Sequence, residues 1–148
     1  VPAELREDAR RVAEAVMTVE EWLAEIGEDR LPPERFDSQP REVLLHGHCY
    51  QRALWGTTAT HRALKLIPNC RVTELDDGCC GVAGSFGYEK EHYELSVQIG
   101  EQRLLPAVRA HPDAIIAASG VSCREQVQHG AGRVALHPIE IVASALRD

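Results

Sequence analysis

The sequence predicts a three-layer α/β domain in which a parallel sheet of about four strands is flanked by helices. From Glu42 onward, short apolar runs alternate with longer segments of helical periodicity. Such alternation favours a parallel sheet with helices packed on its faces. Before Glu42 the pattern differs, because one long amphipathic stretch is followed by a proline-rich one. We therefore divide the chain into an extra N-terminal amphipathic helix (1–27), a linker (28–41) and a cysteine-rich α/β domain (42–148).

The N-terminal segment is predicted to form one amphipathic helix from Ala3 to about Ile26. Its apolar residues recur in steps of four and three, which describes a single stripe along a helix. They are Leu5, Ala9, Val12, Val16, Val19, Leu23 and Ile26. We expect the stripe to pack on the domain itself, with a neighbouring domain as the alternative partner. Prolines at 32, 33 and 40 lie among charged residues in the next segment, which is typical of a linker.

Four apolar runs are predicted to be the strands of the sheet. Their short length and their Val, Ile and Leu content are typical of buried strands. The runs are 42–46, 71–75, 113–118 and 133–136. Helices are predicted over 50–67, over 89–105 and after His137. A short helix is also predicted after Cys123, to about His129, where Gly130 and Gly132 break it. Pro106 should kink the second helix or start a new turn, because proline interrupts helical hydrogen bonding, whereas Pro138 fits the first turn of the last helix.

Composition and charge exclude several classes of function. The chain has 148 residues, enough for one domain with a core. Its 16 Lys and Arg against 23 Asp and Glu give a net charge of −7, which disfavours nucleic acid as a partner. The sequence has no apolar run of membrane-spanning length and no secretory h-region at its start. We expect a cytoplasmic fragment of a longer protein, without a transmembrane segment, that reaches the inner face of a membrane only through partners.

The stretch 77–87 carries the most distinctive chemistry. It contains the adjacent thiols Cys79 and Cys80 between glycines, and glycine allows sharp turns and close approach of the backbone. The chain has five cysteines, an odd number, and no secretory signal, so reduced thiols are a better explanation than a disulfide framework. Metal binding and redox chemistry both suit a pair of thiols on such a loop.

Four of the five cysteines are predicted to meet at one edge of the sheet. Each follows the end of a predicted strand, and the carboxyl ends of parallel strands form the edge where ligands bind. The four are Cys49, Cys79, Cys80 and Cys123. Cys70 precedes its strand and should therefore lie outside this site.

Four thiolates can hold zinc tetrahedrally or bind an iron–sulfur cluster. Adjacent side chains diverge, so Cys79 and Cys80 suit a cluster of several irons better than one ion. A thiol–disulfide enzyme using these two residues is a further alternative, although a bond between neighbours would be strained. Nearby residues are candidates for supporting contacts: His46, His48, Gly81, Arg124 and His137. A histidine can be a ligand or donate to sulfur, and Arg124 can lower a thiolate pKa, but ordinary loop hydrogen bonds and a solvated arginine explain these residues equally well.

The spacing of Cys49, Cys79-Cys80-Gly81 and Cys123 resembles the cysteine-rich CCG domain. That domain recurs in heterodisulfide reductase, in the iron–sulfur subunit of glycolate oxidase, in anaerobic glycerol-3-phosphate dehydrogenase and in lactate-utilisation proteins. The likeness covers about Glu42 to Leu146. It is closest to the C-terminal domain of fused proteins that join an FAD-linked oxidase module to ferredoxin-like and CCG modules. Segments 81–88, 122–124 and 136–138 carry that closer likeness.

The resemblance implies an electron-transfer domain of a flavin-linked dehydrogenase that oxidises a 2-hydroxy acid such as glycolate or D-lactate. The implied cofactor is a [4Fe-4S] cluster on Cys49, Cys79, Cys80 and Cys123, with zinc as the alternative and FAD only on a domain absent from this chain. Implied partners are FAD-binding and ferredoxin-like domains and an electron acceptor, and the chain is not expected to be catalytic on its own. A structural zinc-binding or docking module without a redox role is the alternative function.

One position departs from the family pattern. Gly120 stands where the family has the first cysteine of a Cys-x-x-Cys pair. The family's five-cysteine set implies a noncubane [4Fe-4S] cluster, and here only four of the five remain. A conventional [4Fe-4S] cluster, zinc and an isolated domain without metal all stay open. We expect Gly120 to leave an open coordination position beside Cys123.

Overall fold

The computed structural model describes residues 1–147, apart from the side chain of Glu28. These residues form a four-stranded sheet and eight α-helices. The strands are β1 (Arg41–His46), β2 (Cys70–Glu74), β3 (Ile115–Ala118) and β4 (Ala135–Leu136). The helices are α1 (Arg6–Ala15), α2 (Val19–Arg30), α3 (Cys49–Leu54), α4 (Thr58–Leu64), α5 (Tyr93–Gln102), α6 (Leu104–Ala110), α7 (Val121–Ala131) and α8 (Pro138–Ser144). None of these helices has both the length and the apolar character that a membrane span requires.

All four strands are parallel and are arranged in the order β2-β1-β3-β4. The central strand β1 places Val43 beside Val72 of β2 and Ile115 of β3. Successive side chains of a strand point to opposite faces, so β1 contributes to two cores. Val43 and Leu45 belong to one buried cluster, and Leu44 to the other. The predicted three-layer α/β architecture with a parallel four-stranded sheet is confirmed.

The N-terminal segment forms two helices and not the single one predicted. Between α1 and α2, Thr18 caps α2: the Glu21 amide donates to Thr18 Oγ1 at 3.2 Å, and the Thr18 amide donates to Glu21 Oε2 at 2.6 Å. This reciprocal capping box starts a new helix. Helix α1 has no buried residue, and Val12 and Val16 are 63% and 72% exposed. The predicted packing of the stripe is therefore wrong for α1, whereas Leu23 of α2 is buried.

The segment between α2 and β1 packs on the domain. Phe36 is buried and forms an isolated antiparallel bridge with Leu146. The amide of Asp37 donates to the carbonyl of Ala145 at 2.9 Å. The residues predicted to be a linker therefore tie the helical N-terminus to α8.

Two other long predicted helices are also divided. The segment 50–67 breaks into α3 and α4 at Gly56, whose φ of +78° is readily adopted only by glycine. The segment 89–105 becomes α5 and α6. Pro106 lies in the first turn of α6, which confirms the prediction that it starts a new turn. Helix α7 continues through Gly130 and ends at Gly132, which is left-handed; the prediction that Gly130 also breaks this helix is wrong.

Candidate metal centre

Three cysteine-bearing segments lie at the carboxyl edge of the sheet. Strand β1 ends at His46, and the chain then passes His48 and enters α3 at Cys49. After β2 it forms an irregular loop that carries the adjacent thiols Cys79 and Cys80. After β3 it enters α7, whose first turn contains Cys123. The parallel order of the strands places these three segments beside one another, as the sequence argument expected.

A compact set of donors lies where the segments meet. One ligand atom each from His46, Cys80 and Cys123 lies within 4.8 Å of the other two, and all three residues are buried. His46 Nδ1 is 2.5 Å from Asp77 Oδ2. The other ring nitrogen, Nε2, is buried and has no hydrogen-bond partner within the described part of the chain. A buried unpaired nitrogen next to two thiols is the arrangement that a bound metal ion would satisfy.

Asp77 holds the His46 ring in place. Its side chain is buried, with one carboxylate oxygen on His46 and the other accepting from Arg52 Nη1 at 3.1 Å. Arg52 also donates to the Asp77 carbonyl. Burial lowers the pKa of His46, but the hydrogen bond with Asp77 and the nearby negative charges of Asp77 and Cys80 outweigh burial and raise it to about 9. Asp77 is not among the site residues predicted from the sequence, although a carboxylate that orients a ligating histidine is common in metal sites.

The pKa values of the two buried thiols, Cys80 and Cys123, are shifted in opposite directions. A hydrogen bond from Cys123, together with His46, lowers the pKa of Cys80 to about 4 in spite of burial. The same hydrogen bond and burial raise the pKa of Cys123 above its usual range. These contacts favour the thiolate form of Cys80, which is the form that binds metals. Metal binding would release the proton that Cys123 retains.

Cys49 and Cys79 lie on the open side of this set. They line a cavity of about 410 Å³ together with Cys80, His48 and Ser122, among others. Cys49 is exposed and Cys79 is half-buried. The structure thus places three of the predicted cysteines around one cavity, and the sulfur of Cys123 within 4.8 Å of that of Cys80. Cys70 begins β2, opposite Arg41, and so lies at the other edge of the sheet.

Gly81 and Arg124 shape the loops around the cysteines. Gly81 has a φ of +97°, and a Cβ there would lie 2.1 Å from the Ser96 carbonyl oxygen, so only glycine lets the loop pack on α5. Arg124 Nη1 donates to the carbonyls of Ala118 and Ser119 at 3.0 and 2.8 Å. Arg124 therefore fastens the turn after β3, and the groups that lower the pKa of Cys80 do not include it.

The two remaining histidines have different surroundings. His137 caps α8, because its Nδ1 accepts from the Ile139 amide at 3.2 Å, and its Nε2 lies 3.7 Å from Glu20 Oε1. It borders a second cavity of about 480 Å³, separate from the cysteines. His48 is half-buried and borders both cavities.

The donors present fit a metal or an iron–sulfur cofactor. Thiolate and imidazole are ligands of zinc and of iron–sulfur centres. A tetrahedral zinc ion with bonds of about 2.3 Å to sulfur holds its sulfur ligands about 3.8 Å apart. The spacing of His46, Cys80 and Cys123, within 4.8 Å, needs only a small contraction to match.

Comparison with known proteins agrees with these features. The family model of the CCG cysteine-rich domain matches residues 43–128. A subunit of the anaerobic glycerol-3-phosphate dehydrogenase of Escherichia coli K12 is 31% identical over 107 residues, which is 72% of this chain and 27% of that protein. The D-2-hydroxyglutarate dehydrogenases of Pseudomonas putida and Escherichia coli K12 are 32% and 29% identical over 86% and 89% of this chain, but over only 12% and 13% of their own length.

The chain thus spans about a quarter or less of these relatives, all of which are dehydrogenases or dehydrogenase subunits by name. No solved structure matches the chain. The matched segment contains β1 from Val43 onward, the double-cysteine loop and Cys123, and it therefore includes every donor of the metal centre. The family match, which covers more than half of the residues, shows that this chain belongs to the CCG family of cysteine-rich domains.

Proposed function

We propose that the chain is the electron-transfer domain of a larger flavin-linked dehydrogenase that oxidises a 2-hydroxy acid. The observation that carries this proposal is the buried set of His46, Cys80 and Cys123 at the ligand-binding edge of the sheet, with Cys49 and Cys79 beside it. The names of the relatives support the reaction class, since D-2-hydroxyglutarate is a 2-hydroxy acid. Glycolate and D-lactate belong to the same class.

In this proposal Cys49, Cys79, Cys80 and Cys123 hold a [4Fe-4S] cluster, which would supply one-electron transfer. Asp77 orients His46 towards the thiols, and the buried side of the centre keeps water away from Cys80 and Cys123. The open side, at Cys49, faces outward. Electrons would enter or leave there, from FAD-binding and ferredoxin-like domains of the same protein or complex and to an acceptor. A cytoplasmic location is part of this proposal.

A structural zinc site is the second candidate, and one observation favours it. Three donor atoms within 4.8 Å of one another suit a single tetrahedral ion, which needs one further ligand. In that case the centre would stabilise the edge of the sheet and carry no electrons.

Anaerobic reconstitution separates the two candidates. We would load the chain with iron and sulfide or with zinc, and measure bound metal, acid-labile sulfide and the visible spectrum before and after reduction. Iron with sulfide and a visible band that bleaches on reduction supports electron transfer. A colourless protein that takes up one zinc and no iron supports the structural site, and a protein that retains neither metal contradicts both.

Matched cysteine variants locate the centre. We expect Cys80→Ser and Cys123→Ser each to abolish stable metal binding, because each removes a buried thiol donor. Cys70→Ser is the control, since Cys70 lies at the opposite edge of the sheet, and it should keep the metal content of the wild type. Equal metal content in all three variants would place the metal elsewhere.

A further inference from the structure

We propose that His48 is a ligand of the metal centre, filling the space that a side chain at position 120 would otherwise occupy. The inference rests on the proposed metal-binding function and extends it to a residue outside the four cysteines. It begins from Gly120, which lies between β3 and α7. A Cβ built on Gly120 would lie 2.4 Å from His48 Cδ2, so the imidazole ring lies where a larger residue would project.

That space adjoins the thiols. The same Cβ position is 3.2 Å from His48 Nε2 and 3.0 Å from Cys123 Sγ. The imidazole nitrogen and the thiol sulfur therefore both lie within 3.2 Å of this one point. His48 also lines the cavity that contains Cys49, Cys79 and Cys80. The expected open position beside Cys123 is thus taken up by an imidazole.

The backbone of His48 is well anchored for this role. His48 is the residue before α3, and its carbonyl accepts the Arg52 amide at 2.9 Å. His46, two residues earlier, is fixed by Asp77. Because this backbone is held by hydrogen bonds, metal binding would have to order mainly the His48 side chain, which lowers the cost of ordering the site.

Around a single metal ion held by His46, Cys80 and Cys123, the other available donors fit the fourth ligand position less well than His48. Cys49 is exposed. Cys79 Sγ accepts the Gly81 amide at 3.3 Å, and its side chain diverges from that of its neighbour Cys80. Imidazole is an accepted ligand both of zinc and of iron in iron–sulfur centres. His48 would accordingly join His46, Cys80 and Cys123 around a single metal ion.

An exchange of ligands tests the proposal. We would compare His48→Ala, Gly120→Cys and the double variant His48→Ala/Gly120→Cys. We expect His48→Ala to weaken metal binding by about tenfold or more, since the loss of even an outer-shell partner costs about 10–100-fold. The double variant should regain binding, because a thiol at 120 would enter the space beside Cys123 that the ring has left. Gly120→Cys alone should bind metal less well, because the new Cβ collides with the His48 ring.

The readouts are metal content, metal affinity and the absorption spectrum of the cobalt-substituted or iron-loaded protein. Replacement of an imidazole by a thiolate should strengthen the sulfur-to-metal charge-transfer band in the double variant relative to the wild type. His111→Ala is the control, since His111 is exposed and precedes β3 at the opposite edge of the sheet; it should bind metal as the wild type does.

Three outcomes overturn the proposal in distinguishable ways. If the wild type binds metal and His48→Ala binds it with the same affinity and spectrum, His48 is not a ligand, and the proposed function stands. If the wild type takes up no metal at all, both proposals fail. Weakened binding in His48→Ala without recovery in the double variant would also count against the ligand role, because it would indicate that the ring only packs against its surroundings.

Discussion

Replacing Asp77 by asparagine tests how a buried carboxylate controls the charge of the metal centre. The Asp77 side chain is 1% exposed and bonds to both His46 and Arg52. Asparagine keeps the size and one acceptor but removes the negative charge. In the metal-free protein, the variant should therefore lose most of the stabilisation that protonated His46 gains from its partner.

The magnitude follows from the pKa of His46. One unit of pKa corresponds to about 1.4 kcal/mol, so raising the His46 pKa from 6.5 to about 9 adds about 3 kcal/mol to the free energy of unfolding. The folded state binds this proton more tightly than the unfolded state. The stabilisation is therefore complete below about pH 6.5 and is lost as the pH rises through about 9. We expect Asp77→Asn to lose about 3 kcal/mol at low pH and much less at high pH.

Urea unfolding at about pH 6 and about pH 9.5, followed by circular dichroism, measures the effect. The protein would be kept anaerobic, reduced and free of metal by a chelator. Asp76→Asn is the matched control: Asp76 has a 97% exposed side chain and pairs with Arg103 at the surface, so its loss should cost under about 1 kcal/mol at either pH. An equal loss for Asp77→Asn at both pH values would refute the reasoning, because the effect would then not depend on the charge of His46.

Two further predictions concern the scaffold. Gly81→Ala should destabilise the fold by about 3 kcal/mol, because the φ of Gly81 is +97° and the new Cβ would collide with the Ser96 carbonyl. Gly84 has a φ of +72° but open space around it, so Gly84→Ala should cost only about 1 kcal/mol. Equal losses of stability for the two variants in thermal unfolding would contradict the packing argument. Removal of residues 1–15 should change the melting temperature by less than about 2 °C, because α1 has no buried residue. Removal of residues 1–30 also exposes the core that Leu23 covers, and it should lower the melting temperature by at least about 5 °C. Similar melting temperatures for the two truncations would show that α2 adds nothing to the core.

The sheet could be predicted because each strand has a recognisable pattern of apolar residues in the sequence. Apolar runs such as 42–46 have to be buried on both faces, and they alternate with helical segments. The helix breaks were harder, since apolar periodicity continues across them. One signal was available at Thr18, where Thr-x-x-Glu forms the capping box that divides the N-terminal helix. The exposure of α1 depends on tertiary contacts that periodicity alone does not give.

The positions of the cysteines in the metal centre could be predicted from the sequence better than the positions of its histidines. Strand ends indicated where the cysteines would lie, because topology fixes that edge. His46 could have been assigned by alternation: it has the parity of Leu44, which packs in the same cluster as Cys80 and Cys123. The bond between Asp77 and His46 joins residues 31 apart in sequence. Only the relative placement of β1 and the loop after β2 reveals that bond, and no local pattern contains it.

The order of the strands also has a consequence for folding. His46, Cys80 and Cys123 come from segments that are far apart in the chain, and β1 and β3 must pair before the first and last of them can meet. Such long-range contacts form slowly, because long loops have to close before they are made. Metal should therefore enter a sheet that is already assembled, from the exposed side at Cys49. The rate and extent of metal uptake would then report on the folding of the entire parallel sheet.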